Sequence, residues 1–248
     1  GREGVGEERL WAAVAEALGC ARVAVKGEID TAVMRESHLR IMYPPGAEGW
    51  VMVAQNGLKY TFDATKVMFS RGNVGERRRM GLVPVKGETV VDLFCGVGYF
   101  TIPLLATADV AFLHACELNP NSVEALRRNL DLNKVADRCK IHHGDNRVTS
   151  AALHGIADRV LLGLLPSSEY AWPIAVACLK EGGGVLHVHE NVSEADQQAW
   201  VMRLEAEIRA AGARLGRRWT VSCGHVERVK TFAPRVWHLV ADVSCSPA

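Results

Sequence analysis

The stretch Val90-Val91-Asp92-Leu93-Phe94-Cys95-Gly96-Val97-Gly98-Tyr99-Phe100-Thr101 decides the fold. It opens as a short apolar run of the kind that forms a buried strand, and passes through a turn with two glycines into a helical segment. Gly96 and Gly98 leave the backbone bare where a ligand would approach it, and the helix start adds N–H groups with no intrahelical partner. The spacing is Gly-x-Gly-x-x-Thr, so the third glycine of the dinucleotide fingerprint is absent, which ranks a dinucleotide oxidoreductase last.

Downstream, the next apolar run, Phe112-Leu113-His114-Ala115-Cys116-Glu117, ends in an acid at the distance where a ribose diol would be held. A third run, Cys139 to His143, leads into Gly144-Asp145-Asn146. In a doubly wound sheet the carboxyl ends of neighbouring strands open on one crevice, so Asp92, Glu117 and Asp145 are expected to rim a single pocket. There Asp145 accepts from an adenine amino group and Asn146 presents its backbone; the competing role for Asp145 is a helix N-cap for the segment beginning near Arg147.

Short apolar runs alternate with helical patterns across the second half. Strands are predicted at 89–94, 112–117, 139–143, 159–165 and 185–190, with helices near 99–106, 120–132, 169–180 and 194–211. That order predicts an α/β fold with a doubly wound, mainly parallel sheet. Two longer strands, 217–229 and 235–245, form an antiparallel pair at its C-terminal edge. Upstream, residues 7–18 place Leu10, Val14, Ala17 and Leu18 at helical spacing, and 49–54 and 58–63 flank Asn56-Gly57, a hairpin turn signal. The chain thus divides into a small α+β unit, 1–82, and a nucleotide-binding domain, 83–248. The N-terminus has neither an initiator Met nor a signal pattern and reads as cut from a longer protein.

Composition narrows the class. The 248 residues are 48% hydrophobic and 23% charged, and no apolar run reaches the roughly 20 residues of a membrane span. A net charge of +1 leaves any nucleic-acid contact to local basic clusters, such as Arg71 with Arg77, Arg78 and Arg79 beside the crevice, where Arg77 can pair with a carboxylate or phosphate. Seven cysteines without a CxxC pair suit reduced thiols and a cytoplasmic location, and no metal is expected. His187 and His189 alternate onto one strand face, where local bonding or pocket lining is favoured over metal binding.

The fourth strand ends in Gly163-Leu164-Leu165-Pro166-Ser167-Ser168, with neither acid nor amide before Pro166 to hold a target nitrogen. Pro166, Ser167 and His189 are the candidates for shaping the acceptor pocket. The plainer role for Ser167 or Ser168 is to cap the helix containing Trp172.

These motifs, together with Phe69-Ser70-Arg71-Gly72-Asn73 and Val229-Lys230-Thr231-Phe232-Ala233-Pro234-Arg235, resemble the tRNA wybutosine-synthesizing protein 2 family, in order, over roughly 58–245. The resemblance implies transfer of the 3-amino-3-carboxypropyl group of S-adenosylmethionine to C7 of the wyosine-precursor base 3′ of the tRNA-Phe anticodon, with methylthioadenosine released. It implies cofactor contacts at Ser70, Arg77, Glu117, Asp145 and Asn146, beside Asp92, Gly96 and Gly98 of the loop. The alternatives are a tRNA guanine-N1 methyltransferase, which the missing amide before Pro166 argues against, and a non-catalytic tRNA-binding module.

Overall fold

The computed structural model describes residues 2–27 and 37–248; residues 1 and 28–36 of the N-terminal unit lie outside the described residues. The chain runs α1 (Arg2–Ala17), β1 (Val23–Val25), β2 (Arg40–Tyr43), β3 (Trp50–Gln55), β4 (Leu58–Asp63), α2 (Val74–Met80), β5 (Thr89–Asp92), α3 (Thr101–Ala106), β6 (Phe112–Glu117), α4 (Pro120–Leu132) and β7 (Cys139–His143). It continues through α5 (Asn146–Thr149), β8 (Arg159–Leu162), α6 (Trp172–Cys178), β9 (Gly184–Ser193), α7 (Gln197–Arg214), β10 (Trp219–Ala233) and β11 (Val236–Pro247).

The main sheet has the order β10-β11-β9-β8-β5-β6-β7. Strands β5 to β9 pair in parallel, and β10 and β11 form the expected antiparallel edge. Alternation along each strand feeds two cores. Val91, Cys116, Val160 and Leu162 pack with Trp172, Val176, Trp200, Leu204 and Ile208 of α6 and α7. Val90, Leu113, Ala115 and Leu161 pack with Met80, Ile102, Leu105, Leu126 and Leu130 on the opposite face. Each fully buried Val or Leu contributes about 1.5–3 kcal/mol of transfer free energy, so a sheet covered on both faces is strongly favoured.

Helix α4 forms where local signals agree. Asn119 caps it by accepting from the Asn121 N–H at 2.8 Å, Pro120 occupies its first position, and Val123, Ala125, Leu126 and Leu130 share its buried side. The Asn56-Gly57 turn adopts φ of 54° and 78°, as the hairpin expectation required.

The N-terminal strands differ from expectation. The expected hairpin forms the β3-β4 ladder, but a second two-stranded ladder, β1-β2, was not read, because its strands are too short to leave a sequence pattern. The strand read as 159–165 stops at Leu162, and the C-terminal strands are longer than read. Among the described residues no helix is long and apolar enough to cross a membrane, and all seven cysteines are free.

Candidate functional site

The carboxyl ends of β5, β6 and β7 meet at the glycine turn. Gly96 and Gly98 have φ of 56° and 96°, and a Cβ at Gly98 would lie 2.8 Å from Ile102 and 2.9 Å from Leu126. Only glycine fits there without displacing the core. Asp92 is fully buried beneath the turn. It accepts from the Thr101 hydroxyl at 2.9 Å and the Phe94 N–H at 3.2 Å, which ties strand, loop and helix start together. Burial lifts its carboxyl to about 7, with the Glu117 charge adding to the rise and those two donors opposing it.

Glu117 stands at the end of β6 with its carboxylate held by backbone alone, accepting from Gly96 N–H at 2.9 Å and Asn119 N–H at 2.7 Å. Burial raises its pKa, and these donors work against the rise. The acid is therefore fixed beside the bare glycine backbone, as the sequence spacing implied. Asp145 caps α5, accepting from the Arg147 N–H at 2.9 Å and pairing with its guanidinium at 2.5 Å, so its capping role is realised. The neighbouring Asn146 is buried and donates to the Leu93 carbonyl at 2.9 Å, locking the third strand end to the loop.

Ser70 and Arg77 approach from the other side. The Tyr99 hydroxyl donates to the Met68 carbonyl at 2.7 Å and accepts from the Ser70 N–H at 3.2 Å, so a loop residue fixes the backbone that carries Ser70. Arg77 is buried. It donates to the Ser70 carbonyl at 3.1 Å and to Gln55, with its guanidinium 5.2 to 5.7 Å from the rings of Tyr60, Phe69 and Tyr99. In this arrangement it braces the wall of the crevice.

Sequence reasoning missed Asn129. It is fully buried, donates to the Val97 carbonyl at 2.9 Å and accepts from the Thr61 N–H at 2.6 Å, joining the N-terminal hairpin to the glycine turn through α4. An amide on the apolar side of an amphipathic helix was the available signal, because buried polar groups need partners.

On the other half of the crevice, the loop after β8 runs beside β9. Gly163 faces Phe100, where a Cβ would sit at 3.4 Å from the ring, so no side chain projects there. The Ser167 hydroxyl donates to Glu190 at 3.2 Å and accepts from the Glu169 N–H at 3.2 Å, and the Pro166 carbonyl accepts from the Asn191 N–H at 2.8 Å. The capping role expected of Ser167 or Ser168 is not realised, because α6 begins after Ala171 without a side-chain cap and Ser167 instead closes a local turn on the Glu169 N–H. His189 is buried 4.9 Å from the Phe100 ring centroid and bonds His238 at 2.9 Å, and burial holds it far below its ordinary pKa, so both rings are neutral near pH 7.

His187 belongs to a buried ion chain. Arg159 binds Glu88 at 2.8 Å and donates to His187 Nε2 at 2.6 Å; His187 Nδ1 donates to Asp242 at 2.6 Å; Asp242 accepts from Arg79 at 2.5 Å; and Arg79 binds Glu76 at 2.7 Å. Because Arg159 only donates and Asp242 accepts, the imidazole carries its proton on Nδ1. Both histidines therefore bond locally, and among the described residues no group of His, Cys, Asp and Glu has a metal-holding arrangement.

The model of the TRM5/TYW2 methyltransferase domain matches residues 51–214. The tRNA wybutosine-synthesizing protein 2/3/4 of Arabidopsis thaliana is 46% identical over 238 residues, covering 96% of this chain and 24% of that protein. The crystal structure of P. horikoshii TYW2 in complex with MeSAdo superposes with a TM-score of 0.80 at 30% identity, over 98% of this chain and 84% of the other. That of M. jannaschii TYW2 in complex with AdoMet gives a TM-score of 0.75 at 31% identity, over 85% and 91% of the two chains. The chain spans about a quarter of the length of the plant protein and just under two thirds of the animal relatives, such as the 65% covered in Bos taurus.

Proposed function

The chain belongs to the TRM5/TYW2 methyltransferase domain family, and from that premise we propose that it transfers the 3-amino-3-carboxypropyl group of S-adenosylmethionine to C7 of the wyosine-precursor base, 3′ of the anticodon in tRNA-Phe. The residues fit that cofactor. Glu117 is held by backbone donors where a ribose diol would meet it, the bare Gly96 and Gly98 backbone admits close approach, and Asn146 and Tyr99 brace the two walls. Ser70 and Asp145 complete the cofactor rim, with Arg77 bracing the Ser70 backbone and Asp92 holding the loop from below. The sulfonium supplies an electrophile with three activated carbons, so the protein selects the product by orientation.

The observation that carries the reading is the loop after β8. Relatives that methylate guanine N1 typically carry Asn-Leu-Pro in this loop, and here Leu164-Leu165-Pro166 offers neither an amide nor an acid to hold a target nitrogen. Carbon–carbon bond formation breaks a carbon–sulfur bond and releases the acceptor carbon's proton to solvent. What the chain contributes is position: Pro166, Ser167 and His189 wall the acceptor side, and packing against Phe100 excludes water from it. The 30–48% identity to proteins named for wybutosine synthesis supports the same class, and the MeSAdo seen in one relative is the nucleoside such a transfer leaves.

Incubation of the protein with precursor tRNA-Phe and S-adenosylmethionine, followed by chromatography of the nucleosides, tests the proposal. Methylthioadenosine is the expected by-product. S-adenosylhomocysteine would assign methyl transfer instead, and neither nucleoside would leave a tRNA-binding module.

A further inference from the structure

A lysine stands where the cofactor rim approaches the acceptor wall. Lys230 lies on β10, opposite His238 of β11 in the ladder, and is half-buried against the loop that carries Ser70. Gly72 makes room for it: a Cβ there would stand 2.8 Å from the lysine Cδ and 2.9 Å from its Nζ. The stem therefore packs over bare backbone, which holds the ammonium along that loop toward Ser70 instead of leaving it to sweep through solvent.

That ammonium lacks an anion. Among the described residues its hydrogen-bond contact is the Ser70 hydroxyl at 3.5 Å, longer than the usual N–H···O range of about 2.7–3.2 Å, and no carboxylate pairs with it. His238 gives no compensation, since burial, and then the Lys230 charge itself, hold that ring at about 4 and leave it neutral near pH 7. A partly desolvated charge is ordinarily paired, and this one has no such pair from within. Arg77, the neighbouring cation below Ser70, is 1% exposed and committed to the Ser70 carbonyl and Gln55. The Ser70 hydroxyl keeps its own proton to donate, so serine and lysine offer two donors side by side, the complement of a carboxylate's two oxygens.

We propose that Lys230, together with the Ser70 hydroxyl, binds the carboxylate of the aminocarboxypropyl arm and so helps set which sulfonium carbon faces the acceptor. The proposal rests on the transfer reading above. Two connections place the ammonium where that arm must pass. The Tyr99 hydroxyl of the glycine turn accepts from the Ser70 N–H, and His238, beside Lys230, bonds His189, which packs on Phe100 of the acceptor wall. The carboxylate is the only anionic group of S-adenosylmethionine, and it sits at the far end of a flexible chain. Fixing that end selects among three activated carbons by position, at no cost to the adenosine contacts.

Calorimetry on the wild type and Lys230→Met uses three ligands: S-adenosylmethionine, its decarboxylated analogue, and methylthioadenosine, which lacks the arm. Thermal melting and steady-state transfer to precursor tRNA accompany it. The expected result is a loss of S-adenosylmethionine affinity of about tenfold or more in Lys230→Met, as removal of a hydrogen bond between charged groups implies, with the other two ligands bound no more weakly than by the wild type. Unchanged S-adenosylmethionine affinity overturns the inference, and a fall confined to kcat/KM for tRNA would then assign the ammonium to an RNA phosphate. Equal losses for all three ligands also overturn it, because they would make Lys230 a brace for the Ser70 loop, as would a loss that tracks a lowered melting temperature. A wild type that binds the cofactor but forms no methylthioadenosine with tRNA would instead sink the transfer reading, and it is seen before the variant is compared.

Discussion

Two parts of the sheet hold their charges by different means. Around β5 and β6, Asp92 and Glu117 are fixed by local donors: backbone N–H groups of Phe94, Gly96 and Asn119, and the Thr101 hydroxyl. Around β8, β9 and β11, the charges hold one another, in a side-chain chain from Glu88 through Arg159, His187, Asp242 and Arg79 to Glu76. Backbone donors come with the loop and leave an acid free to meet a ligand. An ion chain spanning four elements instead clamps α2 to the sheet, and it is only as strong as its weakest member.

Breaking the ion chain should give the largest effect. Arg79→Met leaves Glu76, whose side chain is 0% exposed, without its ion-pair partner and Asp242 with His187 alone, and is expected to lower unfolding free energy by about 3–5 kcal/mol in urea titrations near pH 7. On the backbone-held half, Glu117→Ala should act on the ligand: cofactor affinity by calorimetry is expected to fall about 100-fold, in line with loss of a buried charged hydrogen bond. Asn129→Leu tests whether the N-terminal hairpin steadies that half, since it strands the Val97 carbonyl and the Thr61 N–H. A destabilisation of about 2 kcal/mol with weaker cofactor binding is expected, and unchanged binding would separate the hairpin from the site.

The smallest effect concerns pH. Burial raises the Asp92 carboxyl from 3.8 to about 7, so its protonated form favours the native state. A raised pKa contributes stability that is fully present below the unfolded value near 4 and is lost as pH climbs through about 7. Asp92→Asn keeps the shape and removes the titration, so its denaturation midpoint should vary less than the wild type's between about pH 5 and pH 8. An identical slope in both would show that Asp92 does not titrate in that range.

Much of the cofactor half was legible in the sequence because its determinants are local. The glycine turn, the acid at the end of the next strand and the Asn119-Pro120 cap each lie within a few residues of what they act on, and strand period and helix spacing located every element of the parallel sheet. Asp145 showed the limit of such reading, since its spacing allowed both a cofactor contact and a cap, and the cap is formed with Arg147 two residues away.

What tertiary structure alone decided are pairings between residues far apart in the chain. Arg77, which a charge pattern places near a phosphate or carboxylate, is enclosed by Tyr60, Phe69 and Tyr99. Arg79 meets Asp242 across 163 positions of chain, and His187 takes its proton position from Arg159 and Asp242. Periodicity and caps follow from short-range sterics and hydrogen bonding, which the sequence by itself determined; partner choice among buried polar groups depends on which elements pack together, and that is set only when the chain folds.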